Sequence, residues 1–192
     1  DDEILDWAKA NDIPAIMTAD THTRALDRVA EAAANCGIEL AEDDVVLNVQ
    51  ADEPLLGPDV IEATVAPFRR DADVRGTMLV MPIVEEALYR NPDIVKVVHD
   101  MDQRVLYTSR SPIPYAKDFT PELGAKRVGG IFGFRWEALK WFTETPESPL
   151  EIKEACDSNR TLDHGFHQYA AEVPYRTYFS VDSPQDVALV DA

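Results

Sequence analysis

The stretch VVLNVQADEPLL, Val45 to Leu56, decides how the chain is read. Val45, Val46, Leu47 and Val49 form an apolar run of the kind a buried strand needs. Gln50, Asp52 and Glu53 then follow, and Pro54 stops the run. A strand ending this way carries its amide and carboxylates at its carboxyl end, and in open α/β sheets ligands bind in the crevice beyond those ends. A carboxylate there suits Mg2+, which takes one or two carboxylates plus substrate phosphates and keeps several waters. The sequence DEP is also an ordinary turn opener, so Asp52 taken alone leaves both readings open.

Outward from this stretch, strand-like and helix-like segments alternate. Residues 1–10 read as a helix started by Asp1 and Asp2, with Ile4, Leu5 and Trp7 apolar. Ile13–Ala19 reads as a short buried strand. Leu26, Val29, Ala30 and Ala33 share a helical face that Gly37 closes. Pro58 opens the next helix, with Ile61 and Val65 expected inward, and VRGTMLVMPIV follows as a strand. EEALYR makes a short helix, and the segments DIVKVVHD and RVLYTSR are expected to pair around DMDQ. RVGGIFGFR is a strand, RWEALKWFTE and PLEIKEACDSNRTLDHG are helices, and YRTYFSV is a late strand. The last helix opens on Ser183 and Pro184. This alternation predicts a single α/β domain with a mixed, mostly parallel sheet.

Composition narrows the function. With 192 residues, 45% hydrophobic and 28% charged, the chain can build a packed core. The net charge of −18 argues against nucleic acid and anionic membrane surfaces as partners, and it requires any anionic substrate to meet local basic groups or a metal. No apolar run approaches the ~20 residues of a membrane span. The acidic opening DDEILDWAKA is no signal peptide and reads as starting mid-domain. Cys36 and Cys156 are too few for a disulfide scaffold and read as reduced cytoplasmic thiols. The four histidines show no metal spacing, and the glycine-rich phosphate loops and the hydrolase and zinc-protease motifs are absent.

Two further stretches carry chemistry. Asp182 in FSVDSPQD again follows a strand-like segment, so Asp52 and Asp182 are candidates to hold one metal between them; the competing reading is a helix start that Ser183 itself caps. Arg110 precedes SPIPY, where two prolines fix an extended segment. An arginine there is either a salt-bridge partner or a bidentate anion binder.

The fragments VVLNVQADEPLL, NPDIVKVVHD, RVLYTSRSPIPY, GGIFGFR, SPLE and VDSPQDV occur in this order, and together they resemble the 3-deoxy-manno-octulosonate (Kdo) cytidylyltransferase family nearly end to end. The resemblance implies a Rossmann-like nucleotidyltransferase fold and a cytoplasmic homodimer. It also implies a Mg2+-dependent reaction in which a sugar-acid hydroxyl attacks CTP to give a CMP-sugar and pyrophosphate. By the same resemblance, Asp52 and Asp182 are the metal-binding aspartates and Gln50 lines the acceptor pocket. Arg110, with Arg28 and Arg160, holds anionic groups, and Asp157 and Phe132 belong to the acceptor pocket.

The chain also departs from the family pattern. The family's first strand and phosphate-binding loop are expected ahead of Asp1. The family's SGT[DE]R is here RALDR (Arg24 to Arg28), and NVQGDEP has Ala51 for glycine. HLGIYGYR becomes VGGIFGFR, with Val128 at the histidine and Phe132 and Phe134 at the tyrosines, and LEQLR becomes CDSNR, with Asp157, Ser158 and Asn159 new and Arg160 kept. Losing groups that read hydroxyls points to an acidic acceptor other than, or related to, Kdo, such as a Kdo-like sugar acid or a phosphonate; the opposing reading is that Phe132 and Phe134 are core residues and specificity lies elsewhere. The competing reading is a non-catalytic relative that binds a nucleotide or a partner.

Overall fold

The computed structural model describes residues 1–54, 56–176 and 181. In chain order its elements are α1 (Asp2–Ala10), α2 (Ala25–Asn35), β1 (Val45–Val49), α3 (Pro58–Arg70), β2 (Gly76–Pro82), α4 (Glu86–Arg90), β3 (Lys96–His99), β4 (Val105–Ser109), β5 (Lys126–Arg135), α5 (Trp136–Glu144), α6 (Pro149–Glu154), α7 (Ser158–Asp163) and β6 (Tyr169–Glu172).

The ten-residue strand β5 organises the sheet. β2 lies antiparallel along one edge of it; along the other edge β1 pairs with Ile131–Arg135 and β3 with Lys126 and Arg127. β6 adds parallel to β2, and β4 adds antiparallel to β3. β1, β2, β3 and β6 therefore share one direction, as strands joined through helices do. The reversed β5 sits between them, so the sheet is mixed as expected, but most of its hydrogen-bonded pairs are antiparallel and not parallel as the alternation of elements predicted. The β3–β4 hairpin forms around DMDQ as expected, with the Asp100 carboxylate accepting the N–H groups of Asp102 and Arg104 at 2.9 Å each. Its tip crosses to β6 through an Arg104–Tyr169 bridge.

Strand alternation divides the core. Leu79, Met81 and Ile131 pack against Val60 of α3. Met78 and Val80 pack with Val97 and Val105 of the hairpin. Phe134 packs with Leu26 of α2 and Leu139 and Phe142 of α5. Each fully buried side chain of this size contributes roughly 1.5–3 kcal/mol.

Several elements differ from the sequence reading. Ile13–Ala19 forms no strand, and Ile13, Ile16 and Met17 are exposed. That segment is held by side chains instead: Arg28 donates to Thr18 Oγ1 and the Ala19 carbonyl, and Glu31 accepts the Ala19 N–H. The inward face of α3 is Val60, Thr64 and Phe68, not Ile61 and Val65. Thr64 is buried without penalty because its hydroxyl bonds the Val60 carbonyl at 2.8 Å. The helix expected after Pro149 breaks into α6 and α7 at Ala155, whose φ is +49°. In one straight helix Glu151 and Arg160 would lie on opposite faces; the break lets them form a buried ion pair. β6 was not foreseen. Residues 177–180 of the expected late strand, and the segment beginning at Ser183, lie outside the described residues.

Candidate active site

The edge of β5 that carries both β1 and β3 has a gap in it. β1 ends opposite Ile131, and β3 begins opposite Arg127. Two hydrogen bonds bracket the gap: Gln50 donates its N–H to the Gly130 carbonyl at 3.3 Å, and Val128 donates to the Val95 carbonyl at 2.9 Å. Within it β5 bulges at Gly129–Gly130, and Gly130 has φ +74°. A Cβ on Gly130 would meet Glu53 Oε1 at 3.0 Å, so glycine is what lets the 50–53 turn close onto the strand.

A cleft of about 680 Å3 opens over this gap. The segments that follow the carboxyl ends of β1, β2 and β6 contribute Gln50, Glu85 and Tyr175 to it. The cleft thus lies where the sequence placed the crevice.

Of the expected site residues, Gln50, Arg110, Phe132 and Asp157 all line the cleft. Asp52 sits in the turn between the lining residues Gln50 and Glu53 without lining the cleft itself. Its Oδ1 is buried with no hydrogen-bond partner, and its carbonyl accepts the Val181 N–H at 2.8 Å. Asp182, the next residue, lies outside the described residues. Among the described residues no group of three or more His, Cys, Asp or Glu is arranged to hold a metal.

Arg28 and Arg160 are not brought to the cleft. Arg28 ties the 18–19 segment to α2. Arg160 is buried, gripping Glu151 through Nε and Nη2 at 2.7 Å each and stacking 4.1 Å from the Phe142 ring. Its guanidinium is a scaffold clamp because the break after α6 delivers it to a buried carboxylate. Of the two phenylalanines at tyrosine positions, Phe134 is a core residue, 1% exposed, whereas Phe132 reaches the cleft. Ala51 is accommodated without a left-handed backbone.

Arg110 is set by Glu154. The Glu154 carboxylate accepts the Tyr107 hydroxyl at 2.7 Å, the Ser109 hydroxyl at 2.9 Å and the Arg110 N–H at 2.9 Å. Burial alone would raise this carboxyl, but these hydrogen bonds hold it below its usual value. The same bond to Glu154 pushes the Tyr107 phenol up to about 12. The Arg110 guanidinium donates to the carbonyls of Glu154, Pro92 and Ala155. Beside it, burial pushes the Asp157 carboxyl up to about 6 against the pull of Arg24, whose Nε lies 3.6 Å away. Burial likewise pushes the Cys156 thiol up to about 11, so it is no nucleophile at neutral pH.

The sequence reading missed Arg127 in the lining, and it gave no role to Asn48 and Glu53 although both belong to the polar end of the β1 stretch. Arg127 was counted only as part of a strand; an arginine inside a strand of so acidic a chain was the available signal.

The comparisons agree with this architecture. A sequence model of the cytidylyltransferase family matches residues 1–170. The 3-deoxy-manno-octulosonate cytidylyltransferase of Nitratidesulfovibrio vulgaris is 39% identical over 99% of this chain and 75% of its own length. The enzyme of the same name from Oleidesulfovibrio alaskensis is 38% identical with the same coverage. A solved structure of CMP:2-keto-3-deoxy-manno-octonic acid synthetase complexed with CTP superposes with TM-score 0.86 at 30% identity, covering 99% of this chain and 76% of that one. A cleft at the strand ends, and likeness in sequence and fold over nearly the whole chain, lead to one conclusion: the chain belongs to the cytidylyltransferase family of nucleotidyltransferase enzymes.

Proposed function

We propose that the protein transfers CMP from CTP to an acidic acceptor with release of pyrophosphate, using Mg2+ held by Asp52 and Asp182. The observation that carries this reading is the buried, partnerless Oδ1 of Asp52 in the turn that closes β1. Buried carboxylate oxygens are ordinarily hydrogen-bonded, and one that is not fits a cation ligand. The Val181–Asp52 hydrogen bond supports Asp182 as the second carboxylate. The bound metal would neutralise charge on the transferring phosphoryl group. Gln50, fixed by its N–H on Gly130, orients the acceptor, and Arg110, locked by Glu154, adds positive charge at the rim. Positioning and charge stabilisation are what this transfer needs from a protein.

The acceptor we propose is an acid less hydroxylated than Kdo, a second sugar acid or a small phosphonate. Val128 and Phe132 present apolar surface to the cleft at positions where the family pattern HLGIYGYR has a histidine and a tyrosine. The family resemblance also supports a homodimer.

The test is pyrophosphate release by the full gene product with CTP and Mg2+ against Kdo, other 3-deoxy-2-keto acids and small hydroxylated phosphonates. Turnover with an acceptor other than Kdo is expected. Preference for Kdo would show that Val128 and Phe132 do not set specificity. No turnover with any acceptor would overturn the transfer reading.

A further inference from the structure

Arg127 enters the cleft from β5 at the rim of the gap between β1 and β3. Its Nε is buried and has no hydrogen-bond acceptor. A buried donor left unpaired costs the full desolvation of that group, and more when the group is charged. The neighbouring arginines are engaged by the protein itself. Arg110 donates to three backbone carbonyls. Arg24 lies among Glu147, Glu151 and Asp157, and Arg176 pairs with Asp59. Burial disfavours the charged form of Arg127, while nearby Glu53 favours it. Val128 and Phe132, which line the same cleft, have no polar side-chain group to offer an anion.

We infer that Arg127 receives the anionic head of the acceptor, a carboxylate or phosphonate, and so determines which acids the cleft accepts; this rests on the cytidylyl-transfer reading. The Nε and Nη groups of a guanidinium present two parallel N–H donors that match two oxygens of such a head. A triphosphate needs several cations or backbone N–H groups around it. A guanidinium with Glu53 nearby, whose fellow arginines in the lining are already engaged by carbonyls and a carboxylate, suits a single negative head attached to a less polar body. On a chain of net charge −18, this half-buried cation gives the acceptor a local attraction that the surface as a whole denies it.

The test uses the full gene product and its Arg127→Lys and Arg127→Gln variants. The Nε–H resonance of Arg127 is assigned by its disappearance from the Arg127→Lys spectrum. It is then followed while the protein is titrated with Kdo, with pyruvate, with 2-hydroxyethylphosphonate and, separately, with CTP and Mg2+. We expect at least one of the three acids to move the resonance and CTP to leave it in place. In turnover, Arg127→Gln should raise the acceptor KM by about tenfold or more, with the CTP KM within about twofold, and Arg127→Lys should recover part of the loss. A resonance that responds to CTP as strongly as to any acid, or to none of the four, overturns the assignment. If the wild-type protein turns over no acceptor while an acid alone still moves the resonance, the transfer reading fails and the Arg127 assignment stands.

Discussion

Glu154 holds Arg110 at two points: its carboxylate accepts the Arg110 N–H and its carbonyl accepts the Arg110 Nε–H, both at 2.9 Å. The carboxylate thus ties the end of β4 to the end of α6, and the break that follows α6 places Cys156 and Asp157 in the cleft lining. Glu154→Gln keeps the shape but removes the charge that the Tyr107, Ser109 and Arg110 donors share. A loss of about 1–3 kcal/mol is expected from the urea midpoint. The phenol of Tyr107 should fall from about 12 towards its ordinary 10, because its bond to the carboxylate is the main cause of the rise. The difference in phenolate absorbance between each protein and its Tyr107→Phe derivative reads this directly, and an unchanged phenol would refute the network.

Arg160 and Glu151 form a bidentate pair with both side chains almost fully buried. Removing one partner leaves the other charged and buried, which costs about 3–5 kcal/mol. Arg160→Met should therefore lower stability by that order, whereas the folded fraction should bind CTP as the wild type does. Weakened CTP binding without loss of stability would instead return Arg160 to a role in binding substrate.

Asp157 carries a pH signature. Its folded carboxyl lies at about 6, above the ordinary 3.8, so between those values the folded chain holds a proton the unfolded chain has lost. The associated stability is fully present below about pH 4 and is lost as pH rises through 6, a term on the order of 1–3 kcal/mol. Asp157→Asn should remove this slope, gaining on the wild type as pH goes from acid to neutral. Parallel stability curves for the two proteins would exclude the buried-carboxyl account.

Phe132 and Phe134 should respond differently to the same added hydroxyl. Phe134→Tyr buries an oxygen in the α2–α5 core and should destabilise by about 1–3 kcal/mol. Phe132→Tyr places its hydroxyl at the cleft and should leave stability nearly unchanged while improving turnover with Kdo relative to less hydroxylated acids. Thermal melts and acceptor kcat/KM values on both variants decide the matter.

Asp52→Asn should abolish Mg2+-dependent turnover with little loss of stability, because the oxygen it neutralises has no hydrogen bond to lose. Substantial remaining activity would count against Asp52 as a metal ligand.

Much of this was legible from the residues. The strand ending in Gln50 and Asp52, the hairpin around DMDQ and the α/β class all follow from local pattern and turn chemistry, which act over a few residues. What escaped depends on distant partners. The position of β5 between β1 and β2, antiparallel to both, is set by pairing across the sheet, so neither strand adjacency nor the reversal of β5 could be read from the alternation of elements. Arg160 could be read as an anion binder because nothing local reveals that a helix break delivers it to Glu151. Ile61 and Val65 were expected to face inward because the bond to the Val60 carbonyl that lets Thr64 be buried is invisible in a pattern of apolar spacing. Arg127 passed as a strand residue for the same reason: its burial and its missing partner exist only once β1, β3 and β5 meet.

The sheet also sets when its strands can pair during synthesis. β1, β2 and β3 all pair through β5, which begins at Lys126. Until the ribosome has made residues 126–135, these three strands have no β5 to join, and their apolar faces wait uncovered. The nascent chain is therefore most exposed to aggregation, and most in need of a holding chaperone, in the interval that ends when residues 126–135 emerge from the exit tunnel.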